Sequence, residues 1–471
     1  RTGAVSSVAG SSVADSAPWG FVFDDLEIRI SDRPGSSDFA FPTTRPSYAA
    51  LAAYLTGADR NGHETFVRDY YRVPQGTLVT VEHSGKVRTE VLGWTPASGR
   101  RVHDLDLAME LRRTVRRQTR QDAPLGAAVS GGLDSSVIVG VCAASTACPV
   151  AVLAGMSAPG LEHTDETRHI RTAFDMLDVD NLLVDVREVV DELEPKSIVD
   201  EIASFPRELG PLPNPGFLYE RRFYRTLAEA PVDAVLTGQG GDHLFHVLPE
   251  YFLRSGLRGL RDAFQRRMRR FPGDGNEMQT RDPRAIVRDC LRVDSNTSRA
   301  RLRQRLEAKL SPIEHYLTHA RNPIFNGTFR MYDVMRAQSG FEFVHPFFDR
   351  ALWQSVLDYY ASHSPLRNDE LYRRKNLLRR ISAGILPPPL RFRPKDTNFD
   401  QLIHGILRKS GIHDVVREAR ACELHELGLV DMERFYEAYS LFLSDSSYSI
   451  AEVSAVEMWR IISSEIWLRE F

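Results

Sequence analysis

The chain has 471 residues, 42% hydrophobic and 26% charged, with a formal net charge of −3. This is the composition of an ordinary globular protein long enough for about three domain-sized units. The charge balance gives no global pull toward nucleic acid or an acidic membrane surface, and no apolar run reaches the roughly 18 residues of a membrane span.

The opening R-T-G-A-V-S-S-V-A-G is too short of apolar length for a secretory signal, and an Arg at position 1 reads as the trimmed start of a longer chain. Residues 1–100 are rich in strand and loop signals. Ser47 to Leu55 predicts a short helix, and Gly76 to Val81 predicts a strand followed by turn chemistry at Glu82-His83-Ser84-Gly85. Val102 to Arg120 predicts an amphipathic helix, with Leu105 and Met109 set against Arg112, Arg113, Arg116 and Arg117.

The apolar run Leu125–Val129 then leads into Ser130-Gly131-Gly132-Leu133-Asp134-Ser135-Ser136 and an apolar helix start at Val137. A buried strand, a tight turn and a helix N-terminus follow in order. Paired glycines let the backbone approach an anion, and the helix start offers N–H groups and a favourable dipole. An acid inside a phosphate-friendly turn makes sense if Mg²⁺ lies between it and the phosphates. The plainer alternative is a Gly-rich turn with a capping Asp134.

Pro149 to Ala154, Leu182 to Val186 and Val232 to Thr237 predict further strands, with a helix from Thr164 to Leu177. Alternating strands and helices predict an α/β fold, a doubly wound parallel sheet. Asp165-Glu166 suits the N-terminus of the Thr164 helix, with a role beside the site as the alternative. The fourth strand ends in Thr237-Gly238-Gln239-Gly240-Gly241-Asp242-His243, so two Gly-rich strand ends should face one crevice. From about Pro249 onward the pattern is helical, with no strand expected. Residues 254–309 form a basic block holding Arg254, Arg258, Arg261, Arg266, Arg267, Arg269 and Arg270. A solvated helical insertion is the plain reading and a peptide-docking surface the sharper one. No aromatic interleaving supports nucleic-acid binding. The four cysteines, Cys142, Cys148, Cys290 and Cys422, form no C-x-x-C pair and are expected as free thiols in the cytoplasm.

S-G-G-L-D-S-S resembles the pyrophosphate-binding loop of ATP pyrophosphatases in the form used by asparagine synthetase-like enzymes. The resemblance covers residues 100–400 well. It implies ATP and Mg²⁺ as cofactors, with nucleotide contacts at Ala128, Ser130, Gly131, Gly132, Asp134, Ser135, Ser136, Thr237, Gly238 and Gln239. Asp134 and Asp242 are the implied metal ligands. Arg391-Phe392-Arg393-Pro394-Lys395-Asp396 resembles the loop bearing the family's essential lysine, and Lys375 matches a second. Both are implied to stabilise charge on the phosphates, with a surface position as the alternative for each. His345-Pro346-Phe347-Phe348-Asp349 matches a P-F-L-D turn and is read as structural.

Tyr71 to Gly76 resembles a turn near the end of a glutaminase domain, so residues 1–100 are expected to be the remnant of one, without its Cys nucleophile, ahead of a synthetase domain at 101–471. Gln239 and His243 replace family Glu residues. Gln239 cannot act as a base. His243 has an ordinary pKa near ~6.5 and is read first as an orienting group. A metal pair of His243 with His246 does not suit Mg²⁺. Three branches compete: glutamine- or ammonia-dependent asparagine synthetases, β-lactam synthetases that cyclise a small amino acid, and lasso-peptide cyclases. Arg330 falls where the second branch would place a Glu. The third shares a C-terminal W-L-R, here Trp467-Leu468-Arg469. It implies a precursor peptide substrate, with a leader peptidase and a leader-binding protein as partners.

Overall fold

Short apolar strands, each alternating its side chains between two faces, build the frame that carries the site. The computed structural model describes residues 6–9, 20–24, 27–31, 45–55, 65–68, 70–72, 77–81, 87–91, 101–119, 123–145, 148–161, 164–187, 195–205, 209–245, 331–332, 334–363, 375–393, 400–409, 412–444 and 452–471. Lys395, Arg330, His246, the turn 73–76 and the basic block 254–309 lie outside them.

The N-terminal part forms two antiparallel sheets. One orders β1 (Ser6–Ala9), β5 (Thr77–Val81) and β6 (Val87–Val91). The other orders β3 (Glu27–Ser31), β2 (Gly20–Asp24) and β4 (Tyr70–Arg72). Helix α1 (Tyr48–Leu55) buries Leu51 and Tyr54. The Tyr54 ring meets Phe66 edge-on at 5.6 Å, and Phe66 meets Trp467 at 5.8 Å. Ala50, Leu51, Tyr54, Leu55 and Phe66 thus enter the same core as residues near the C-terminus.

The central sheet is parallel throughout. Its strands are β7 (Leu125–Val129), β8 (Val150–Ser157), β9 (Asp180–Asp185), β10 (Ala234–Leu236) and β11 (Glu342–Val344), in the order β11-β10-β7-β8-β9. The chain leaves β7 toward one edge and returns at β10 on the other side. The switch point therefore lies between β7 and β10, where ligands of such sheets bind. The period-two alternation divides the strands between two cores. Leu125, Ala127, Val129, Leu153 and Leu236 face one, and Val152, Ala154 and Val235 face the other. Helices cover both faces, as parallel sheets require.

Helix α2 (Asp104–Gln118) has acids in its first turn and Arg116 and Arg117 in its last, matching its dipole. It buries Leu107, Leu111, Thr114 and Val115. The expected apolar pair is on the wrong side: Leu105 is 70% and Met109 38% exposed. The stripe 107/111/114/115 follows the helical period over two full turns and wins the core. Leu105 and Met109 are a short second row beside it.

Helix α3 (Leu133–Ala143) follows β7, and α4 (Thr167–Phe174) follows β8. Strand β11 corrects the expectation of an all-helical C-terminal half. Only three residues long, it pairs in parallel with β10 through Ala234↔Glu342 to Leu236↔Val344. The turn after it is structural, as expected. Phe347 and Phe348 are fully buried, and Asp349 caps the helix Arg350–Ser362 by accepting from the N–H groups of Ala351 at 2.9 Å and Leu352 at 3.1 Å. Among the described residues, no helix is long and apolar enough to cross a membrane.

Candidate active site

Strand β7 delivers the chain to the Ser130 turn. Gly131 takes φ +68°, a left-handed conformation that side-chain-bearing residues rarely adopt. A Cβ there would also lie 2.8 Å from the Cβ of His169. The Ser130 N–H donates to Ser135 Oγ at 3.1 Å, the two hydroxyls are 3.0 Å apart, and the Gly132 N–H donates to Ser130 Oγ at 3.3 Å. The turn is thus laced shut around the first turn of α3. No side chain caps that helix, so its N-terminal N–H groups remain available to an anion. Ser136 Oγ is fully buried with no hydrogen-bond partner among the described residues. Ala128 lies in β7 with its side chain against the hydrophobic core.

The second loop closes on the first. Gly238 lies so near α3 that an added Cβ would fall 2.4 Å from the Ser135 nitrogen. Thr237 Oγ1 accepts from the Gln239 N–H at 3.2 Å and is 2.6 Å from His345 Nδ1. His345 is buried, packed against Tyr332 at 4.9 Å and Phe343 at 6.0 Å. His243 packs its ring near Phe348 at 6.1 Å.

Burial pushes the His345 pKa down to about 3 from the ordinary 6.5. Above pH 6.5 both folded and unfolded chains are neutral at this residue. Below it the unfolded chain takes the proton first, so stability falls as pH falls, by up to roughly 1.4 kcal/mol per pH unit. His345→Gln is expected to flatten the slope of urea-measured stability against pH below 6.5 by close to one proton. An unchanged slope would show that His345 is protonated in the folded chain.

Lys375 joins the two loops. It is 8% exposed, not a surface residue, and N-caps the helix Asn376–Ile381 with φ 56° and ψ 37°. It is the one non-glycine with positive φ among the described residues. That conformation costs about 1 kcal/mol or more and persists where surroundings over-determine it. Here Leu377 and Leu378 are fully buried just behind it. The ammonium contacts Asp134 Oδ2 and lies 2.8 Å from Asp242 Oδ1. Burial pulls its pKa down, but Asp134 and Asp242 together outweigh that and hold it above the ordinary value. The two acids therefore converge on one point at the mouth of the Ser130 turn.

This donor set fits a divalent cation. A cationic group already touches both carboxylates, and Mg²⁺ favours one or two carboxylates plus phosphate oxygens. Among the described residues no cluster of three or more His, Cys, Asp or Glu could hold a metal by itself.

One further residue belongs to the site. Arg393 is buried, donates to the Gly131 carbonyl at 2.6 Å and pairs with Glu166. It ties the Ser130 turn to the N-terminus of α4. Its position in R-F-R-P-K is visible in the sequence, but its partner lies 262 positions away. Arg379 fixes the same stretch by donating to the Arg391 carbonyl and, at 2.9 Å, to the Arg393 carbonyl. Asp165 takes the N-terminal role expected of the acidic pair, accepting from the Thr167 N–H at 3.1 Å, whereas Glu166 serves the site. Trp467 is buried in the core, and Arg469 donates to the Val415 carbonyl at 2.7 Å and pairs with Glu465 at 2.9 Å, so W-L-R is packing material here.

No curated protein matches the chain. The family model for asparagine synthase matches residues 106–469. That match spans most of the chain and includes β7, the Ser130 turn, the Thr237 loop and Lys375, so the chain belongs to the asparagine synthase family.

Proposed function

We propose that this chain closes a macrolactam in a ribosomal precursor peptide, joining the peptide's N-terminal amine to an Asp or Glu side chain through an acyl-adenylate. As a member of the asparagine synthase family it is an ATP-dependent ligase that forms carbon–nitrogen amide bonds. The observation that carries the reading is the convergence of Asp134 and Asp242 beside an uncapped helix N-terminus.

In the first step a substrate carboxylate oxygen attacks the α-phosphorus of ATP, and the bond to the β-phosphate oxygen breaks. The Ser130 turn and the α3 dipole receive the departing pyrophosphate. Lys375 and Lys395 supply positive charge, a contribution typically worth ~3–4 kcal/mol per group. A Mg²⁺ between Asp134 and Asp242 would neutralise phosphate charge. In the second step the amine nitrogen attacks the acyl carbon, AMP leaves with the bonding pair, and the amine proton is released. Gln239 is no base for that proton, which passes to solvent, and this suits an amine already held beside the acyl-adenylate. A leader-binding protein and a leader peptidase are the partners this reading requires.

ATP–pyrophosphate exchange tests it. Exchange driven by a precursor peptide, with AMP release and loss of one water from the peptide, is the expected result. Exchange driven only by aspartate with ammonia would make the chain an asparagine synthetase. Exchange driven only by a small amino acid that then cyclises would place it with the β-lactam synthetases.

A further inference from the structure

We infer that Lys375 is an internal cation that holds the metal position of the Asp134–Asp242 pair and must leave it for a divalent ion to enter. Metal loading and the movement of Lys375 toward the phosphates would then be one event. The inference rests on the reading of those two acids as metal ligands.

The geometry carries it. The Lys375 ammonium touches Asp134 and lies 2.8 Å from Asp242, so it fills the space in which a single ion can reach both. Mg²⁺ needs oxygens at about 2.0–2.1 Å and near-octahedral room. An ammonium and a metal cannot share that space. Charge points the same way. One positive charge against two carboxylates leaves one unit unneutralised, whereas a divalent ion neutralises both. Without Lys375 the acids, Asp134 shielded and Asp242 half-exposed, would face each other as like charges, which disfavours ionising both. The lysine is thus a placeholder for that ion.

The backbone shows where the freedom lies. Lys375 begins a helix whose next residues, Leu377 and Leu378, are locked in the core. Among the described residues, glycines aside, the left-handed φ of 56° is found at Lys375 alone. Breaking the ion pairs therefore frees one side chain and one hinge position, without disturbing the helix behind. The chain could exchange its grip on two carboxylates for a grip on phosphate oxygens while the metal takes its place.

The test is Mn²⁺ binding by the full chain without nucleotide, read by calorimetry or by the loss of free Mn²⁺ in electron paramagnetic resonance. Lys375→Met is expected to bind Mn²⁺ at least tenfold more tightly than the wild type, and Lys375→Arg, which keeps the charge, no more tightly. Equal or weaker binding by Lys375→Met overturns the inference. Should Lys375→Met require metal to stay folded, its unfolding midpoint in EDTA against Mn²⁺ reads the same linkage. A rise no larger than that of the wild type then overturns it. Asp242→Asn separates this from the underlying reading. If Asp242→Asn abolishes Mn²⁺ binding while Lys375→Met changes nothing, only the placeholder role fails. If Asp242→Asn leaves binding unchanged, the metal-site reading fails with it.

Discussion

Asp134→Ala is expected to lower ATP–pyrophosphate exchange by roughly a thousandfold or more, to the level of background. Asp134 starts α3 and contacts Lys375, which in turn reaches Asp242. On the proposed reading the substitution removes one of two metal ligands and the acid nearest the departing pyrophosphate. Stability should fall too. Taking away every partner of a buried ammonium costs about 3–5 kcal/mol. Asp242 still faces Lys375, so the loss should be well below that, and a thermal melt should show a folded chain. Gln239→Ala is the contrast. Its backbone N–H still reaches Thr237, and no charge is lost, so exchange should stay near the wild-type rate. Equal collapse of exchange in the two variants would mean that Asp134 acts only as a scaffold.

Gly238→Ala should be nearly as damaging, for a different reason. The added Cβ would lie 2.4 Å from the Ser135 nitrogen, 2.7 Å from the Ser135 Cα and 2.9 Å from the Asp134 carbonyl carbon. These are backbone atoms of the first turn of α3, so no rotamer change relieves the contact. The Thr237 loop and the Ser130 turn must separate. Overpacking of this kind costs about 1–3 kcal/mol. The larger effect should be on exchange, which is expected to fall at least a hundredfold because shifts of about 1 Å are enough to lose that much. Gly384→Ala is the control. Gly384 has φ +77° but no atom within 4 Å of an added Cβ. It should lose a little stability and keep its exchange rate. Equal exchange in the two variants would show that the loops do not need this contact.

The Ser130 turn was legible because its signals are contiguous: strand, glycines, hydroxyls and acid within a dozen positions. The Thr237 loop was legible for the same reason, and the parallel sheet brought the two together. What stayed hidden depends on distance or on burial. Arg393 and the Gly131 carbonyl meet only through the fold, as do Thr237 and His345, 108 positions apart. Lys375 was legible only through the family resemblance: locally, Arg373-Arg374-Lys375 reads as a solvated helix face, and nothing in it says that Lys375 turns inward. Strand β11 is three residues in an aromatic stretch, and it is a strand only because β10 offers it a parallel edge. Leu105 and Met109 have the right spacing for a core face but lose to a longer stripe on the same helix.

Phe66 occupies the place where Gly210 lacks a side chain, with a Cβ there falling 2.0 Å from its ring, and on its other side it meets Trp467. A ring from early in the chain is therefore a keystone between the middle and the end. Helix α1, Phe66 and the last helix, Glu452–Leu468, should lose structure together in one transition. Residues 65–68 are thereby part of the scaffold that the ligase rests on.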